Sequence, residues 1–284
     1  MQSKLYHKLK SKTVRDLYWL LFSEAPLSDD YDLTPYSLFP VEITNEWKRA
    51  AVDYFLELDK NAFEIENFVN RRKNRRLGFY AEALLSYFFQ TFREIELLLQ
   101  NFQINIEKRT IGEIDFIILY NEKVIHLECS VKYYMLKNLN DFNDGSQWVG
   151  PRLRDNLKLK LGKIVQNQIP MGLKKEVQDK INRPIDISYM FIKGVFFAEE
   201  AILPGRINRN SPNTFIRISE LKKLEIKPIE ILSRPNWLSS LVPVKNNVNL
   251  ESIAIEEPLE NPILYLFNDK KARFVVPDNW GLND

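Results

Sequence analysis

Residues 123–134 read KVIHLECSVKYY, a strand-like run in which every second side chain is polar over four successive positions. Side chains alternate across a strand. His126, Glu128, Ser130 and Lys132 therefore share one face, and Ile125, Leu127, Cys129 and Val131 share the other. The run just before it has the same character, since Asp115 is bracketed by Ile114, Phe116, Ile117 and Ile118. An unpartnered carboxylate in such a strand is costly to bury. With Asn121-Glu122 as the turn, the two runs form a hairpin. If Asp115 points to the polar side, two carboxylates and an ammonium converge on one face of a sheet.

The surrounding periodicity sets the fold class. Helical spacing is predicted for Val14–Phe22, Asn45–Leu58, Phe63–Val69 and Leu77–Phe92, the last with Leu77, Ala81, Leu84, Phe88 and Phe92 on one stripe. Strands are predicted over Leu97–Ile106, Ile114–Tyr120, Lys123–Tyr134 and Ile187–Phe197. A helix is predicted to open at Pro151 and to stop at Ile169, before Pro170. Helix, three strands, helix, strand gives an α/β core over residues 71–200. Residues 1–70 are read as a helical extension, and residues 201–284 as a β-rich cover or small lobe. In that last part Thr214–Ile218, Ile226–Leu232, Ile263–Phe267 and Arg273–Val276 read as strands, the final two pairing around Asn268-Asp269-Lys270.

Composition removes several kinds of chemistry. Nine glycines in 284 residues, with no GxGxxG or GxxxxGK[ST], argue against a glycine-rich phosphate loop. Two histidines and no Gly-x-Ser-x-Gly elbow leave little for a nucleophilic triad. The single Cys129 excludes an internal disulfide and fits a reducing compartment. With His7 and His126 it cannot make a structural zinc site, so a metal here takes oxygen ligands: Mg²⁺, Mn²⁺ or Ca²⁺. The apolar stretch after the basic start is interrupted by Asp16 and is too short for an anchor. The expectation is a soluble cytoplasmic protein with no membrane partner.

A net charge of +2 neither demands nor excludes a polyanionic partner, so the clusters matter. Arg71, Arg72, Lys73, Arg75 and Arg76 crowd the entry to the helix that carries Glu82, where they suit either a solvated helix end or a phosphate backbone. Lys158, Lys160 and Lys163 add basic character to the helix after the strands. Glu82 sits at the margin of its helix's apolar stripe and is a further candidate carboxylate. The plain alternative for Asp115, Glu128 and Lys132 is a structural ion pair.

Several phrases resemble an uncharacterised bacterial protein family placed in the PD-(D/E)XK nuclease superfamily: LGFYAEALL (77–85), RTIGEIDFI (109–117), HLECSVKYY (126–134), WVGP (148–151), LRDNLKLKLGKIVQNQI (153–169) and RFVVPDNW (273–280). The resemblance implies a restriction-endonuclease-like αβββαβ core. It implies that Asp115 and Glu128 bind Mg²⁺ (or Mn²⁺), with help from the Cys129 carbonyl, and that Lys132 activates water. Glu82 would hold a second metal or its water, and Gln168 would face the metal. The activity implied is hydrolysis of phosphodiesters in nucleic acid. One departure stands out: the usual lysine lies two residues after the glutamate, where this chain has Ser130. Lys132 keeps the face but sits roughly 7 Å further along the strand. The alternative on the same core is a protein that binds nucleic acid without cutting it.

Overall fold

The computed structural model describes residues 4–71, 76–106, 109–199, 207, 213–239 and 251–282. In chain order its elements are α1 (Lys12–Phe22), β1 (Ser37–Leu38), α2 (Val41–Ala50), α3 (Val52–Lys60), α4 (Phe63–Asn70) and α5 (Leu77–Thr91), then β2 (Glu96–Ile106), β3 (Arg109–Tyr120), β4 (Lys123–Leu136) and β5 (Trp148–Val149). There follow α6 (Leu157–Lys163), a π-helical segment (Ile164–Gln168), α7 (Ile169–Met171), α8 (Lys175–Ile181), β6 (Ile187–Ala198) and β7 (Asn213–Arg217). The last are α9 (Ile218–Leu221), β8 (Pro228–Ile231), β9 (Ile263–Phe267) and β10 (Ala272–Val276). The protein is α/β, with parallel and antiparallel strand pairs among the described residues.

The chain divides into two compact units, and β4, α6 and β6 each contribute to both. The first comprises Met1–Glu24, Asp29–Val131 and Lys160–Lys193; the second comprises Ala25–Ser28, Lys132–Leu159 and Gly194–Asp284.

In the first unit β2, β3 and β4 form an antiparallel meander. Asn121 and Glu122 both have positive φ (48° and 62°), the backbone that a two-residue hairpin turn with the twist of its strands requires. The register runs from Tyr120–Lys123 to Phe116–Leu127. Cross-strand partners share a face, so the pair Ile117–His126 puts the odd residues of β3 with the even residues of β4. Ile117 and Val124 of that face join Ile104, Ile114 and Val177 of α8 in one buried cluster, with Met171 of α7, Ile181 and Ile185 packed on it. The opposite face meets α5, where Phe89 lies edge-on to Phe116 with centroids 5.2 Å apart. Trp47 of α2 fills the space against Phe88, Phe89 and Tyr120.

Three sequence expectations are corrected here. The helix predicted over Asn45–Leu58 is two helices, α2 and α3, which meet at Ala51. The helix expected from Pro151 begins at Leu157, because the preceding residues fold back as a loop in which Gly150 N donates to the Asp155 carbonyl at 2.9 Å. It also passes through Pro170 rather than stopping before it. Pro170 lacks an N–H and its ring crowds the carbonyl four residues earlier. The widened π turn just before it, closed by Ile169 N on Ile164 O, accommodates that conflict.

In the second unit β7 is parallel to β10, β10 is antiparallel to β9, and β9 to β8. Leu221, Tyr265, Phe267 and Val275 form its buried cluster. Ala272 faces Leu266 in the β9–β10 hairpin, as the sequence pattern predicts.

Candidate active site

β3 and β4 set the first pair of groups. Beyond the Phe116–Leu127 pair, the Cys129 N–H donates to Asp115 Oδ2 at 2.8 Å. A carboxylate thereby accepts a strand amide, and the bond holds Asp115 close enough to Glu128 for their charges to interact. Glu128 is 1 % exposed and both its oxygens are engaged. Oε1 lies 3.2 Å from His126 Nε2, and Oε2 accepts from Gln168 Nε2 at 2.7 Å. Gln168 Oε1 in turn accepts from Lys160 Nζ at 3.1 Å. His126 Nδ1 is 3.3 Å from Ser188 Oγ.

Electrostatics follow from this crowding. Burial, then the nearby Glu128 charge, raises the Asp115 carboxyl well above the ordinary range. Burial raises Glu128 likewise, and Lys160 opposes the rise at both groups. Burial pushes His126 down to about 4, so the ring is neutral near pH 7. A neutral ring that donates from Nε2 to Glu128 accepts at Nδ1 from the Ser188 hydroxyl. Two like charges largely removed from water favour a proton or a cation between them. The Gly172 backbone closes over the ring: a Cβ there would lie 2.7 Å from His126 Nδ1.

The remaining sequence candidates fall elsewhere. Glu82 is half-buried on α5, which covers the opposite sheet face, and its charge acts on the Cys129 thiol. Burial and then the charges of Asp115, Glu128 and Glu82 raise that thiol well above its usual value. Lys132 belongs to the second unit, where its ammonium is 2.5 Å from Asp155 Oδ2 and 5.7 Å from the Tyr134 ring centroid. Tyr134 Oη donates to the same Asp155 oxygen at 3.2 Å. Gln168, by contrast, reaches Glu128. Arg71 ends α4 and Arg76 begins α5, both exposed; Arg72, Lys73 and Arg75 lie outside the described residues.

Two contacts depend on more than the local sequence. Asp155, the partner of Lys132, carries no signal in LRDN beyond an ordinary loop acid. Lys160 was visible only as one of several helix lysines, because its position relative to Gln168 depends on the π turn.

The donor set suits a hard cation: two carboxylates on one face leave positions for water and phosphate oxygens, the coordination Mg²⁺ favours. Among the described residues no group of three or more His, Cys, Asp and Glu side chains is placed to hold a metal ion. Nor is any helix among them long and apolar enough to cross a membrane.

Fold and site together define an α/β protein whose β-hairpin carries a buried carboxylate pair bonded to a Lys/Gln-bearing helix. Residues 15–264 match the family described as Domain of unknown function (DUF1853), and the chain belongs to that family. No curated protein and no solved structure matches it.

Proposed function

We propose that the Asp115–Glu128 pair holds Mg²⁺ or Mn²⁺ and that the protein hydrolyses phosphodiester bonds in nucleic acid on a restriction-endonuclease-like core. The observation that carries this reading is the junction of two carboxyls, both raised above their ordinary range, on one face of β3 and β4. The resemblance to the PD-(D/E)XK superfamily adds to it. A bound divalent cation would supply Lewis acidity toward a phosphoryl oxygen and a lowered pKa for water. The chain's own residues then have separate tasks. Asp115 is aimed by the Cys129 N–H, and Glu128 by His126 and Gln168. In the reaction a water oxygen bonds to phosphorus as the bond from phosphorus to one sugar oxygen breaks. The water gives up a proton and the leaving oxygen gains one.

The test is cleavage of labelled single-stranded, double-stranded and branched DNA and RNA with Mg²⁺, Mn²⁺ or chelator. Metal-dependent cleavage that falls at least ~100-fold in Asp115→Asn, with the fold retained, supports the proposal. Cleavage that persists in Asp115→Asn contradicts it.

One observation favours a second reading, a protein that binds nucleic acid without cutting it: the ammonium of Lys132 is already paired with Asp155. It predicts salt-sensitive binding without cleavage, weakened when residues 71–76 are neutralised.

A further inference from the structure

The lysine after Glu128 is displaced along its strand and neutralised by Asp155, while another cation stands at the carboxylates. We infer that Lys160, carried by the helix rather than by β4, is the site's lysine, and that it faces the attacked phosphate and the water beside it. This rests on the metal-dependent reading above.

The geometry is a continuous relay. Lys160 Nζ donates to Gln168 Oε1 at 3.1 Å, and Gln168 Nε2 donates to Glu128 Oε2 at 2.7 Å. The relay needs Lys160 and Gln168 on one side of the helix. Eight residues of regular α-helix would set them about 80° apart. The intervening Ile164–Gln168 segment is π-helical, with Ile169 N on Ile164 O. Such a turn advances less per residue, roughly 80° instead of 100°, and over five residues it brings the two side chains to within about 20°. Pro170, which removes the N–H of the following turn, makes the π turn the favoured local solution. A sequence feature that looks like a helix stop thus aligns the lysine with the glutamine.

Charge supports the same assignment. Lys160 acts on both Asp115 and Glu128, and on the thiol of Cys129, the residue after Glu128. Lys160 is half-buried on that helix. An ammonium so placed stabilises negative charge that builds on phosphoryl oxygens and orients water by donation.

The experiment compares full-length wild type with Lys160→Met, Lys160→Arg, Lys132→Met and Asp115→Asn by calorimetric titration with Mn²⁺ alone, followed by cleavage of the same nucleic-acid panel. Removing a cation that faces the carboxylates should tighten Mn²⁺ binding at least ~3-fold in Lys160→Met, and Lys160→Arg should restore the wild-type value. Lys132→Met should leave Mn²⁺ affinity within about twofold of wild type, because Asp155 already holds that charge. Cleavage should fall at least ~100-fold in Lys160→Met although its metal binds tighter, a split that loss of folding would not give. If Lys132→Met shifts Mn²⁺ affinity and Lys160→Met does not, the assignment is overturned while the metal site stands. If Lys160→Met cuts as wild type does, it is overturned as well. If wild type binds no Mn²⁺, or Asp115→Asn binds it equally, the metal reading itself has failed and the assignment falls with it.

Discussion

Gln168 donates to Glu128 across 40 residues of sequence, Nε2 to Oε2 at 2.7 Å. The bond ties the π-helical turn to the hairpin strand, so the helix that covers the site also fixes the orientation of its most buried carboxyl. Gln168→Leu keeps most of the side chain's volume and removes the donor. It should destabilise the protein by about 1–3 kcal/mol, because a buried acceptor is left without a partner. Urea unfolding measures the loss, and Mn²⁺ titration should show weaker binding in the same variant.

Proton and metal compete for the Asp115–Glu128 pair. Both carboxyls are raised in the folded protein, first by burial. Between the ordinary carboxylate pKa and the raised values the folded state binds more protons than the unfolded state. The stability this contributes is present in full at low pH and is lost as pH rises through the raised values. A divalent cation offsets the loss. The melting temperature gained on adding Mn²⁺ should therefore be larger at about pH 8.5 than at about pH 5.5.

Lys193 gives a pH dependence away from the site. It is 5 % exposed, donates to the Ser23 carbonyl and lies 5.1 Å from the Phe191 ring centroid. Burial first, then Lys48, pushes its ammonium down to about 7, with Glu24 acting the other way. The unfolded chain, with lysine near its ordinary value of ~10.4, binds more protons above the folded pKa. From this group, stability is present in full above ~pH 10 and is lost as pH falls to about 7. Lys193→Met should flatten that slope, seen as a smaller gain in unfolding midpoint between about pH 7 and about pH 9.5.

Gly194 must remain glycine. Its φ is +143°, and a Cβ would lie 1.7 Å from the Lys132 carbonyl oxygen, a backbone atom that cannot step aside. Gly194→Ala should cost more than ~3 kcal/mol and lower soluble expression, measurable by thermal unfolding of whatever folded protein is recovered.

The legible parts of the sequence were those governed by local periodicity. The apolar helix carrying Glu82, the Asn121-Glu122 hairpin and the alternation that sets His126 and Glu128 on one side all emerged from residue spacing. So did the β9–β10 hairpin. What stayed hidden depends on contacts distant in sequence or on a departure from regular geometry. Pro170 reads as a stop, yet the chain widens one turn and continues, and only that widening joins Lys160 to Gln168. Asp155 takes Lys132 because the loop from Gly150 folds back, and Gly150 leaves room for that carboxylate: a Cβ there would lie 2.4 Å from Asp155 Oδ1. Alternation puts Lys132 on the polar face but says nothing about which acid meets it.

The central claim is that Asp115 and Glu128 form a divalent-cation site, and calorimetric titration of the full-length protein with Mn²⁺ at about pH 7.5, beside Asp115→Asn, tests it most directly. One Mn²⁺ site in wild type, weakened at least ~10-fold in a folded Asp115→Asn variant, is the predicted result. No heat of binding in wild type, or equal affinity in the two proteins, would contradict the account.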